Sequence, residues 1–255
     1  MAEAAQMGHA MVQQALAVGM PWADPGLPEY VNRLGQNLAR SSESRQAFYF
    51  YVLYDPRANA QAFPGGFVVV TSGVISMAEN EAELASVLTH EIAHINACHW
   101  RTSPWRVSLF EVLILVPTVA LAGPAGIALT SGGGLAAPLA RARLSRSAER
   151  QADFLGVQYL ERAGYDPEAA VKMFSRLELE EARQGIKSGG LLATHPRVSD
   201  RRKSLERYVS GLPTPGFRLH DEAEFRQMRK EIQDYDDIYF RATGVPVPGR
   251  EMPPP

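Results

Sequence analysis

HEIAHINACH, residues 90–99, places three histidines and one glutamate in ten positions of a 255-residue chain that holds six histidines altogether. The residues leading into it repeat apolar side chains at helical spacing, Leu84, Val87, Leu88, Ile92 and Ile95. Glu79 to Glu83 open that pattern with acidic groups, which suit the positive end of a helix. The stretch is therefore read as the late part of a buried helix. At about 100° per residue, and with His90 as zero, His94 falls near 40° and Glu91 near 100°. Both imidazoles then face one side and can share a zinc ion, with Glu91 flanking it within reach of a water on the metal. His99 falls near 180° on the same projection, which points it away and marks it as structural.

The spacing has chemical meaning. Zinc lowers the pKa of its water toward neutrality, a glutamate takes the proton, and the hydroxide attacks a carbonyl polarised by the metal. Two satisfied core histidines are the plain alternative, but chance predicts only on the order of 0.01 HExxH patterns in a chain of this composition. A catalytic zinc also needs a third protein ligand. One class supplies a histidine six residues after the second, through a glycine turn; here Trp100 stands there, and position 97 is Ala. The other class takes a glutamate from a later helix. Glu149, in SAERQAD, fits, with Asp153 one turn on along the same face. Asp153 can accept a hydrogen bond from the far nitrogen of a zinc-bound histidine and fix its tautomer.

Outward from this core, residues 3–18 and 28–40 carry helical periodicity. AFYFYVLY (47–54) and FVVVTSGVI (67–75) are strand-like, and NAQAF between them is a candidate edge strand. Residues 107–139 are strongly apolar, but the uninterrupted part is too short to span a bilayer and contains Pro117, so a buried or membrane-touching helical hairpin is expected. Helices are read over 146–164 and 168–184 and again from HPRVSDRRKSLERYV, and a proline-rich tail follows Gly244.

Composition removes other classes. Twenty-six basic and 28 acidic residues are mixed along the chain, so no electrostatic footprint for nucleic acid exists. The single Cys98 rules out an intramolecular disulfide and a thiolate zinc cluster, leaving His and carboxylate as ligands. The N-terminus has no cationic segment followed by an apolar run, so no signal peptide is read in it.

NAQAFPGGFVVVTSGVI, ENEAELASVLTHEIAHINACH, RSAERQADFLGVQYLERAGYDP and THPRVSDR, in that order, resemble the zinc metallopeptidase family that includes the heat-shock protease HtpX, the prenyl-protein CAAX proteases and the periplasmic protease BepA. The likeness is greatest to the soluble, BepA-like branch. It implies an α+β, predominantly helical gluzincin-type domain with a small β-sheet, one zinc per chain, ligands His90, His94 and Glu149, and Glu91 as catalytic base. It also implies that Asn59 and Ala60 lie on an edge strand where a substrate peptide adds by backbone pairing. His195 corresponds to a family histidine near the metal, stabilising the oxyanion or occupying the open coordination position at rest; read without the family it is equally a helix-entry residue. Arg201 or Arg197 is expected to add positive charge there. The family's edge motif often has an aromatic where this chain has Gln61, and BepA carries a tetratricopeptide domain for which no segment after residue 207 is long enough.

The expected organisation is an N-terminal helical segment (1–27), a metallopeptidase domain (28–210) and a C-terminal helix with the tail (211–255). The expected function is endopeptidase cleavage of unfolded or misassembled envelope proteins, in the periplasm or cell envelope by resemblance. A second reading is a chaperone-like or autoinhibited binding module whose zinc site stays closed. A third makes the 107–139 hairpin a bilayer anchor and the enzyme a membrane-protein protease; short of that, peripheral membrane contact through 107–139 is expected.

Overall fold

A computed structural model describes residues 2–101, 146–184, 195, 198–213 and 223–244. The 107–139 hairpin, the 185–190 loop, Arg197 and the tail after Gly244 lie outside the described residues. Along the chain run α1 (Ala2–Val18), α2 (Gly26–Ser41), β1 (Tyr49–Leu53), β2 (Ala60–Phe63), β3 (Phe67–Thr71), α3 (Ser72–Met77) and α4 (Glu81–Asn96). After a 3₁₀ turn (His99–Arg101) come α5 (Arg146–Arg162), α6 (Glu168–Gln184), α7 (Val198–Val209) and α8 (Ala223–Thr243). The α+β, mainly helical class is as expected.

The three strands form one sheet in the order β1-β3-β2, with β1 parallel and β2 antiparallel to the central β3. β3 is buried on both faces, which is why FVVV reads as an unbroken apolar run instead of an alternation. Val68 and Val70 face the main core with α2 and α4. Phe67 and Val69 face Met11 and Val12 of α1 on the other side. Burying each such side chain contributes about 1.5–3 kcal/mol. The tight β2-β3 turn requires Gly66, whose φ is +94° and where a Cβ would stand 1.9 Å from the Ala47 carbonyl oxygen.

The strand read over 67–75 ends earlier, at Thr71. The Ser72 hydroxyl donates to the Asp55 carbonyl at 3.1 Å, the Gly73 N–H donates to the same oxygen, and the chain turns into α3. The β-branched Val74 and Ile75 thus serve a helix, where packing overrides their strand preference.

α4 is buried from Glu81 to Ile95. Its N-terminus is closed by Asn80, whose side chain accepts from the Glu83 N–H at 3.0 Å, while the Glu83 carboxylate accepts from the Glu79 N–H at 2.9 Å. Arg176 of α6 neutralises Glu83 at 2.8 Å, and Glu81 accepts from the hydroxyls of Tyr30 and Tyr165. Burial, reinforced by Glu81, pushes the Tyr30 hydroxyl well above its ordinary pKa, keeping it a donor. α8 returns to the start of the chain: Trp22 donates to Glu231, Tyr54 to Asp236, and Arg229 to the Ser76 carbonyl. Among the described residues no helix is long and apolar enough to cross a membrane.

Candidate metal centre

α5 crosses α4 in the most extensive contact between any two of the described elements. The crossing brings Glu149 and Asp153, in the first two turns of α5, against His90 and His94 in the last two turns of α4. His195, just before α7, completes the group, so His90, His94, Glu149 and His195 each present one donor atom within 4.8 Å of the others, all buried. His90 Nε2 lies 2.9 Å from His94 Nε2 and 3.4 Å from His195 Nδ1. Glu149 oxygens lie 3.0 Å from His195 Nδ1, 3.7 Å from His94 Nε2 and 3.8 Å from His90 Nε2. Four donors bonded to zinc at its usual distances stand about 3.3 Å apart at the corners of a tetrahedron. The observed separations straddle that value, and a His₃Glu donor set suits zinc, so the residues present fit the ion.

Glu91 sits beside the group, 1% exposed, with Oε1 3.6 Å from His195 Nε2 and without a hydrogen-bond partner. A buried carboxylate oxygen left without a donor is costly, and one aimed at a cluster of metal donors is placed to accept a proton.

The far side of each helix histidine faces a polar group, which for His90 is a close contact without hydrogen-bond geometry. His90 Nδ1 lies 3.1 Å from Asp153 Oδ1. Arg201 of α7 grips Asp153 with Nε at 2.8 Å and Nη2 at 2.5 Å, reaches Glu149 at 2.7 Å with Nη1, and donates to the His195 carbonyl at 3.3 Å. Of the two arginines expected near the site, Arg201 is there. Burial works against ionisation of Glu149 and Asp153, yet both carboxyls are held well below the usual range. His195 and Arg201 outweigh burial at Glu149, and Arg201 with His90 does so at Asp153. Burial, with His90 alongside, keeps His94 far below its ordinary pKa and hence neutral, the form a metal takes.

His99 does not point away. α4 ends at Asn96, and Cys98 turns left-handed at φ +52°. His99 swings back until its Nδ1 is 2.8 Å from His94 Nδ1, with its Nε2 3.2 Å from Gln151 Oε1. Projecting a continuous helix missed this, and nothing in Ala97-Cys98 signals the break.

Asn59 and Ala60 sit at the entry of β2. The Asn59 carbonyl accepts from the Thr71 N–H at 3.0 Å and its N–H donates to the Thr71 hydroxyl at 2.9 Å. Ala60 pairs with Val70 in the next position, so by antiparallel alternation its own N–H and C=O face away from β3.

A family-wide sequence model described as peptidase family M48 matches residues 24–209, which contain every side chain of this cluster. The chain belongs to peptidase family M48. Among M48 relatives, the beta-barrel assembly-enhancing protease of Yersinia pestis is 35% identical over 211 residues, 77% of this chain and 42% of that protein. The Escherichia coli protein of the same name is 33% identical over 208 residues, with the same coverage. The mitochondrial metalloendopeptidase OMA1 of Schizosaccharomyces pombe is 32% identical over 214 residues, 83% of this chain and 60% of its own. The chain thus spans less than half the length of its beta-barrel assembly-enhancing M48 relatives.

Proposed function

We propose that this chain is a zinc-dependent endopeptidase, with His90, His94 and Glu149 holding the metal and Glu91 as catalytic base. The observation that carries this is the buried Glu91 oxygen without a hydrogen-bond partner, set beside a cradle of metal donors. When bound there, zinc supplies a neutral-pH nucleophilic water and a Lewis acid for the scissile carbonyl. Glu91 accepts the proton of the attacking water and returns it to the leaving amine. The outward backbone of Ala60 holds the substrate as an added strand. Arg201 keeps Glu149 and Asp153 ionised and in place. Residues 28–210 form the catalytic unit, with α1 and α8 as appendages to it.

We read the arrangement of His195 as a resting state. Four side-chain donors on one tetrahedral ion would leave no position for water or substrate, so His195 would have to withdraw when a peptide enters. This closed cradle is what favours an autoinhibited module as the second reading.

The substrate we infer, from the names of the Yersinia and Escherichia relatives, is unfolded or misassembled protein of the cell envelope, with the chain acting in the periplasm. Casein cleavage by the wild type and by Glu91→Gln tests the proposal. The variant is expected to lose at least about a hundredfold in rate while keeping its zinc; undiminished cleavage overturns it.

A further inference from the structure

We propose that His99 is a positioning residue for the metal site: it fixes the tautomer and ring orientation of His94 through an imidazole-imidazole hydrogen bond, and Gln151 in turn fixes His99. The inference rests on the metal reading above.

Two independent constraints meet at the 2.8 Å contact between His94 Nδ1 and His99 Nδ1. From the metal side, His94 presents Nε2 to the cluster, 2.9 Å from His90 Nε2. A neutral imidazole that uses Nε2 as a ligand must carry its proton on Nδ1. From the other side, His99 Nε2 faces Gln151 Oε1 at 3.2 Å, and an amide oxygen only accepts. His99 therefore carries its proton on Nε2, and its Nδ1 is bare. The two ends agree: His94 Nδ1–H donates to His99 Nδ1, and His99 Nε2–H donates to Gln151. The His94 and His99 rings stand 4.9 Å apart at 69°, so the lone pair of one lies near the edge of the other.

The backbone is built for this contact. Ala97 still donates to the Ala93 carbonyl at 2.9 Å and Cys98 to Ile95 at 3.0 Å, and the left-handed Cys98 then reverses the chain so that His99 sits over the end of its own helix, buried. A left-handed non-glycine residue is disfavoured, and the turned-back His99 is what that conformation achieves. The result is an asymmetric pair. His90 is backed by the carboxylate of Asp153, which Arg201 fixes, whereas His94 is backed by a neutral ring. Partners on the far nitrogen of a metal-binding histidine typically govern affinity by about 10–100-fold.

The experiment is zinc affinity by competition with a chromophoric chelator, with the melting temperature of the metal-free proteins and the visible spectrum of the cobalt-substituted proteins alongside. His99→Leu removes the acceptor and His99→Asn returns an oxygen acceptor near the place of Nδ1. His99→Leu is expected to weaken zinc by about 10–100-fold and to shift the cobalt bands. His99→Asn should recover most of the affinity, and Gln151→Leu should fall between. If His99→Leu does not fold, His99→Asn and Gln151→Leu carry the same comparison. A His99→Leu protein that binds zinc as tightly as wild type, or Leu and Asn variants equally impaired, overturns the proposal. A wild type that binds no zinc instead sinks the metal reading itself.

Discussion

Gly156 of α5 lies directly against the backbone of His90: a Cβ at position 156 would stand 3.2 Å from both the His90 nitrogen and its Cα. The close approach sets how near α5 comes to α4, and thereby where Glu149 and Asp153, on the same helix, meet the histidines. Gly156→Ala forces backbone to move by a few tenths of an ångström and is expected to cost about 1–3 kcal/mol, with Gly156→Val worse. Zinc affinity should fall with stability in both, because α5 carries the proposed ligand Glu149. Melting temperature and chelator competition check it; an alanine variant with unchanged affinity would show that the helix spacing has slack.

His195 supplies the fourth donor of the closed cradle. His195→Ala is expected to raise basal casein cleavage several-fold while zinc stays bound through the other three side chains. A fall in cleavage with zinc retained would assign His195 to transition-state stabilisation instead.

Ala60, itself 1% exposed, points its backbone N–H away from β3, since its pairing with Val70 is a non-hydrogen-bonded one. Ala60→Pro removes that donor without breaking a β2-β3 bond, and proline is tolerated on edge strands. One lost hydrogen bond is worth about 0.5–1.5 kcal/mol, so kcat/KM for a peptide substrate should drop by about 2–12-fold with zinc content unchanged. An unaltered kcat/KM would place the substrate elsewhere.

Asp153 has a folded-state pKa below its ordinary value, the Arg201 charge outweighing burial. The unfolded chain therefore binds more protons at acid pH, and this carboxylate's contribution to stability is complete above about pH 5 and lost as pH falls through the folded value. In metal-free protein, Asp153→Asn should lower stability at neutral pH and flatten its decline below about pH 4. Denaturant unfolding across that range reads both; a variant as acid-sensitive as wild type contradicts the assignment.

The metal cradle was legible in sequence for a geometric reason. His90 and His94 share a face because four residues make little more than one helical turn, and Glu149 with Asp153 repeats that spacing on a second helix. The edge strand could be read from NAQAF before a glycine turn. What could not be read depends on tertiary contact. Gly156 looks like a small helix penalty until α4 is laid across it. His99 is re-aimed by a left-handed Cys98, and position 98 itself holds neither glycine nor asparagine to announce the turn. Val74 and Ile75 read as strand because their β-branching is a local signal, whereas the Ser72-Asp55 hydrogen bonds that end β3 join residues 17 positions apart.

Zinc content of the purified protein, measured in wild type, Glu91→Gln and Glu149→Ala, tests the central claim most directly. The account predicts about one zinc per chain in the first two and a large loss in the third, with wild-type cleavage abolished by a chelator and restored by zinc. A metal-free wild type that still cleaves casein, or a Glu149→Ala protein that holds zinc as tightly as wild type, would contradict it.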